Sequence, residues 1–234
     1  GNGAAAEQSY RELIALNPNN AQALHFYAIL ALQTGRGDLA FDHISKAALL
    51  EPGDVGIQAN RGEVLRSLGR HEEALEAYRI ATRLAPEHPE VWNNAAGILF
   101  ALGRFDEAER FARKTVKLAP RIPQGHLALA EILWAKADMS GVRDACNAVL
   151  SLEPNNAEAI SRRAMGDAAL GDAPGARQGL ERALSIAPQL VPARLALVDL
   201  LVDAGELAEA NGVLEPALGQ SENDAEVAYR LGSL

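Results

Sequence analysis

Six prolines, Pro18, Pro52, Pro86, Pro120, Pro154 and Pro188, follow one another at intervals of 34 residues. Proline fixes φ, has no N–H to donate and restrains the residue before it, so each one closes whatever helix precedes it. Three more series run in the same phase. One is Gly35, Gly69, Gly103, Gly171 and Gly205, with Ala137 in its fourth place. Another is Ala40, Ala74, Ala108, Ala176 and Ala210, with Val142 in its fourth place. The last is Ala28, Gly62, Ala96, Ala130 and Ala164, ending in Val198. Several independent series in one phase are the mark of an internal repeat. A unit of 34 residues cannot bury an apolar face alone, so its copies must stack.

Each unit reads as two helices. About fourteen residues follow the proline, enough for a first helix, A, of about 21 Å at roughly 1.5 Å per residue. The glycine suits the reversal that ends it, because glycine tolerates φ > 0. A second helix, B, follows, for example "RHEEALEAYRIATRLA" after Gly69. The small residues let the two helices approach closely.

At this level the chain resembles the tetratricopeptide repeat family. Position 1 is counted as the third residue after each proline. That family favours Trp at 4, Gly at 8, Ala at 20, Tyr or Phe at 24, Ala at 27 and Pro at 32. Here Trp92 stands at 4, Gly62 at 8, Tyr78 at 24, and Ala47, Ala81, Ala183 and Ala217 at 27. The resemblance implies an all-α right-handed superhelical solenoid of antiparallel helix pairs, with about fourteen helices in a single array. Full repeats are expected at 21–54, 55–88, 89–122, 123–156, 157–190 and 191–224. Residues 1–20 read as a partial repeat carrying helix B only, and 225–234 as one carrying helix A only. Departures are the unit from Pro123, with Ala137 and Val142, and the unit from Val191. The latter has Glu222 in place of its closing proline and Pro216 inside helix B, which is expected to kink or shorten that helix. The two incomplete ends are complementary, which suggests weak head-to-tail self-association through them.

Composition narrows the chemistry. With 48% apolar and 23% charged residues the chain can fold. A net charge of −9 repels phosphate backbones, so nucleic acid is not an expected partner. The one cysteine, Cys146, excludes an internal disulfide and a cysteine metal site, and at position 24 it reads as a buried, inert thiol. No apolar run is long enough for a membrane span and no leader is evident, so a cytoplasmic location is expected, or a periplasmic one if a leader was removed. Arginine outnumbers lysine 18 to 4 and alanine is abundant, which points to a GC-rich bacterial source. No nucleotide-loop, metalloprotease or nucleophile-elbow motif is present, so neither catalysis nor a cofactor is expected. His25, His43, His71, His88 and His126 fall on different units without ligand spacing and read as surface or groove residues, not metal ligands. Arg36-Gly37-Asp38 matches a cell-adhesion tripeptide, but its place at the A–B turn suits turn and helix-start chemistry instead.

The resemblance also implies a site. In the family, positions 2, 5, 6, 9, 12 and 13 of helix A line a concave groove. Those positions form one helical stripe, opposite 4, 7, 8 and 11. The peptide-binding residues expected here are Phe26, Ile29, Asn60, Glu63, Arg66, Asn93, Asn94 and Phe100, then Leu127, Glu131, Trp134, Arg162 and Met165. The asparagines would offer a donor and an acceptor to a peptide backbone rather than pack. Aromatic, Arg and Met side chains suit an interaction surface. Asp199, Asp203 and Glu226 add acid farther along, either a match for a basic ligand segment or simply a solvated acidic face. The family's carboxylate clamp needs groove lysines, which are missing. The asparagine ladder of the O-linked N-acetylglucosamine transferase repeats has only two rungs here, Asn60 and Asn94. The expected function is a non-catalytic scaffold binding a peptide or protein segment. The alternative is the substrate-recruiting arm of a larger glycosyltransferase or sulfotransferase whose catalytic domain lies outside this chain.

Overall fold

The computed structural model describes residues 2–214, with side chains from residue 3 onward. Among the described residues there are thirteen α-helices and no strand. A lone helix, α1 (Asn2–Leu16), is followed by A–B pairs. These are α2 (Ala21–Gln33) with α3 (Gly37–Leu50), α4 (Val55–Ser67) with α5 (His71–Leu84), and α6 (Pro89–Ala101) with α7 (Phe105–Leu118). Next come α8 (Pro123–Ala135) with α9 (Met139–Leu152), α10 (Ala157–Ala169) with α11 (Ala173–Ile186), and α12 (Val191–Asp203) with α13 (Leu207–Leu214). The expected features at Pro216, Ala217, Glu222, Glu226 and 225–234 lie outside the described residues. The chain divides into two compact units, Gly1–Ala119 and Pro120–Leu234.

Every A helix begins three residues after a proline of the 34-residue series. Two local devices start it. Asn20, Asp54 and Asn156 cap α2, α4 and α10, their side chains accepting from the N–H of Ala23, Ile57 and Ala159 at 3.0, 2.8 and 2.9 Å. Helices α6 and α8 carry Pro89 and Pro123 at the first position, where a missing N–H costs nothing. At the other end, Gly35, Gly69, Gly103, Gly171 and Gly205 all have positive φ, from 71° to 91°. Ala137 takes the same left-handed conformation at φ 57°, although it is not glycine.

The small-residue series are the packing seam. Ala40, Ala74, Ala108, Val142, Ala176 and Ala210 are all 0% exposed. At Gly62 an added Cβ would lie 2.7 Å from the ring of Tyr78, so glycine there is what lets a tyrosine fill the helix pair. In the first unit a core gathers Leu24, Ala28, Ile44, Ile57 and Val64. In the second, Ile160, Leu180, Leu197, Leu201 and Leu214 do the same.

A second regularity links consecutive repeats. The fourth residue of helix A donates to the carbonyl of the proline six residues before it: Gln58 Nε2 to Pro52 at 3.1 Å, Trp92 Nε1 to Pro86 at 2.9 Å, and Arg194 Nη2 to Pro188. His126 Nε2 lies 2.9 Å from the Pro120 carbonyl, which can only accept, so that nitrogen carries the proton. Where the fourth residue is Ile160, Arg182 Nη2 reaches the Pro154 carbonyl at 2.7 Å instead. Gln58, His126 and Arg194 are buried, and these hydrogen bonds give their polar ends a partner that burial would otherwise deny them.

Four of the B helices, α5, α7, α9 and α11, start in one of two forms. In the first unit Arg70 pairs with Glu73 three residues on (2.7 Å), and Arg104 likewise with Glu107. In the second unit Asp138 and Asp172 cap the N–H of Gly141 and Gly175 at 2.9 and 3.0 Å. A Cβ on either glycine would come within 2.5 Å of the aspartate.

Candidate functional site

In the first unit the expected residues split between open surface and internal contacts. Asn94 is exposed on α6, and Phe26 on α2 is 46% exposed. Phe26 stacks on His25, with ring centroids 5.1 Å apart, and lies 6.3 Å from Tyr10 of α1. Ile29 is half-buried.

Asn60 corrects the expectation that the asparagines do not pack. Its Nδ2 lies 2.7 Å from Nε2 of His25 on the neighbouring A helix. With the amide donating, that nitrogen accepts and the ring is neutral. Burial pulls the His25 imidazole below its ordinary value, against the opposing charges of Asp54 and Glu51. Asn93 is half-buried, with Oδ1 enclosed and without a hydrogen-bond partner.

Glu63 and Arg66 form a salt bridge at 2.5 Å, and Tyr78 Oη donates to Glu63 at 3.2 Å. Hydrogen bonding from Arg66 lowers the Glu63 carboxyl below its ordinary range, while burial raises the Tyr78 phenol. Glu63 and Arg66 thus satisfy each other. Phe100 turns toward the A–B junction and packs on Phe105, ring centroids 5.5 Å apart.

The histidine expectation is corrected at two positions: His25 and His126 are 7% and 8% exposed, one serving Asn60 and the other the Pro120 carbonyl. Nor is Arg36 presented as an adhesion ligand. Its guanidinium is held in a fork by Glu7, at 2.7 and 2.9 Å, while Gly37 and Asp38 form the first turn of α3. Cys146 is buried, and burial pushes its thiol up to about 11, so it holds little thiolate at neutral pH.

In the second unit three expected residues come together. Trp134 of α8 and Arg162 and Met165 of α10 line a cavity of about 220 Å³ with Glu158, Ser161, Leu190 and Pro192. Arg162 Nη2 donates to Glu158 at 3.2 Å, and the buried Ser161 hydroxyl points to the Met165 sulfur at 3.8 Å. The stripe rule missed none of the chemistry here, only its extent. Glu158 and Pro192 are second residues of their A helices and Ser161 is a fifth, so the same spacing names them. Leu190, in the turn before α12, carried no such signal. Leu127 is half-buried and Glu131 exposed on α8; neither lines the cavity.

Among the described residues no group of three or more His, Cys, Asp or Glu is placed to hold a metal ion. No described helix is long and apolar enough to cross a membrane.

Family models described as tetratricopeptide repeat match residues 1–54, 60–123 and 167–233. The chain belongs to the tetratricopeptide repeat family. Its fold matches YrrB, described as a tetratricopeptide repeat protein with an unusual peptide-binding site. That match has a TM-score of 0.70 at 18% identity and covers 86% of this chain and 100% of that one. It also matches the C-terminal part of a repeat-containing protein from Cytophaga hutchinsonii, with a TM-score of 0.77 at 16% identity over 97% of this chain and 94% of that one. In sequence, 81 residues are 38% identical to cellulose synthase operon protein C of Pseudomonas fluorescens, covering 35% of this chain and 6% of that protein. A stretch of 74 residues is 35% identical to small glutamine-rich tetratricopeptide repeat-containing protein 2 of Mycosarcoma maydis, covering 32% of this chain and 21% of that protein. The chain therefore matches only a small part of either relative. Tetratricopeptide repeats make this chain an interaction scaffold.

Proposed function

We propose that the chain is a non-catalytic scaffold that takes a peptide or protein segment on its A-helix face. The cavity that gathers Trp134, Arg162 and Met165 carries the reading, because a half-buried tryptophan beside a thioether is the kind of anchor pocket that dominates protein interfaces. YrrB, a fold relative with a peptide-binding site of its own, is consistent with it. The test is calorimetry with a segment captured from the source organism. Trp134→Ala and Met165→Ala are each expected to weaken binding by about 30-fold, roughly 2 kcal/mol, with the helical signal unchanged. Glu76→Ala, on helix B and 65% exposed, is the control. Equal losses for the control and the A-face variants would place the ligand elsewhere.

A second reading, the recruiting arm of a larger enzyme, draws on the match to a small part of cellulose synthase operon protein C. The neighbouring coding sequence tests it: a glycosyltransferase or sulfotransferase domain in the same reading frame is the expected result.

A further inference from the structure

We infer that the second unit's cavity takes a basic segment bearing one large apolar side chain. The inference rests on the reading that protein segments bind the A-helix face, and it adds what kind of segment fits.

The cavity walls decide the anchor. Trp134, Met165, Leu190 and Pro192 are apolar, and the volume of about 220 Å³ is on the scale of one large side chain. The polar groups at its edge are already engaged: the Ser161 hydroxyl with the Met165 sulfur, and Arg162 with Glu158. A charged occupant would lose its hydration against the apolar walls, with only the already paired Arg162 and Glu158 to meet it. An apolar occupant only displaces water from carbon surface.

The surroundings decide the flanks. Glu131 lies one turn before Trp134 on α8, and Asp203 lies about three turns after Pro192 on α12. With Glu158 that makes three carboxylates on this face, against Arg162, a net of −2 for these residues. Four other arginines of the unit are occupied elsewhere. Arg177 is held by Glu181, Glu206 and Glu209, which raise its pKa further. Arg182 and Arg194 donate to the Pro154 and Pro188 carbonyls, and Arg163 pairs with Asp167 at 3.8 Å. An apolar socket with an acidic rim selects an apolar anchor with basic neighbours, because rim charges steer encounter and exclude like-charged segments.

The test uses a random dodecapeptide library displayed on phage, panned on the full chain. Enriched sequences are expected to carry Leu, Met, Phe or Trp within a few residues of Lys or Arg. Synthetic peptides from these clones should bind at least tenfold more weakly to Trp134→Ala. They should also weaken several-fold on Glu131→Lys/Asp203→Lys, a double change at exposed sites, and on raising salt from about 50 to 500 mM. Enriched peptides that are acidic or uncharged, or that bind the reversed-charge variant equally well, overturn the inference. The A-face reading survives that outcome if Trp134→Ala still loses them. Clones that bind Trp134→Ala as tightly as the unmodified chain overturn both, and so does a library that yields no enrichment.

Discussion

Ala137→Gly is expected to stabilise the chain, and the structure gives the size. Five A–B turns place glycine at φ between 71° and 91°, while Ala137 holds the same place at φ 57°. The turns close alike: Asp138 N–H reaches the Leu133 carbonyl at 2.9 Å, as Arg70 N–H reaches Leu65 at 2.9 Å. The left-handed conformation costs an L-residue about 1–2 kcal/mol. Glycine gives back about 0.4–1 kcal/mol through its freer unfolded chain. The net gain is about 0.5–1 kcal/mol, which at a urea slope of about 2 kcal/mol/M raises the midpoint by about 0.3–0.5 M. Gly69→Ala is the mirror experiment. Nothing lies within 4 Å of a Cβ added there, so its whole cost is backbone, and the midpoint should fall by a similar amount. Urea titrations of the full chain, followed by far-UV ellipticity and tryptophan emission, read both. A lower midpoint for Ala137→Gly, or shifts of the same sign for both variants, would refute the backbone argument.

Ala74→Arg should cost about 1–3 kcal/mol or more because Ala74 is 0% exposed in the helix seam, whereas Glu76→Arg should stay within about 0.5 kcal/mol; thermal melts compare them. The pH dependence follows from His25, whose folded pKa lies below its ordinary 6.5 because it is buried. The unfolded chain then binds the proton more readily, so this contribution is complete above about 6.5 and is lost as pH falls through that value toward the folded one. Urea midpoints near pH 7.5 and 5 should differ more for the unmodified chain than for His25→Leu, and equal differences would show that His25 does not carry the effect.

The helices were legible because their signals are local and repeated. The prolines and turn glycines recur at one spacing, and the A helices begin at a fixed distance from the prolines. Ala137 was visible as a departure, but only the folded backbone shows that it keeps the glycine's conformation. The candidate face was legible as a stripe, and it did bring Trp134, Arg162 and Met165 to one cavity. What the stripe could not show is which members are spent on neighbours. Asn60 meets His25 across 35 positions of sequence, and Glu63 meets Tyr78 across 15. Such pairs join different helices, within one repeat for Glu63 and Tyr78 and between repeats for Asn60 and His25, an offset that the stripe along a single helix does not encode. The proline carbonyls were missed for a related reason. Their donors are as unlike as Gln58, Trp92, His126 and Arg194, which share an N–H but no side-chain class.

The two ways of starting α5, α7, α9 and α11 bear on how such arrays can be recombined. Arg70 and Arg104 each require a glutamate three residues on; Asp138 and Asp172 each require a glycine there. A crossover that falls between the two positions would set a glutamate against a capping aspartate, or leave an arginine facing a glycine with nothing to bind. A duplication that copies the turn together with the first helical turn after it keeps either pair intact. For these four helices the smallest heritable piece is therefore the junction, turn plus helix start, and the arginine pair and the aspartate pair fall on either side of the division between Ala119 and Pro120.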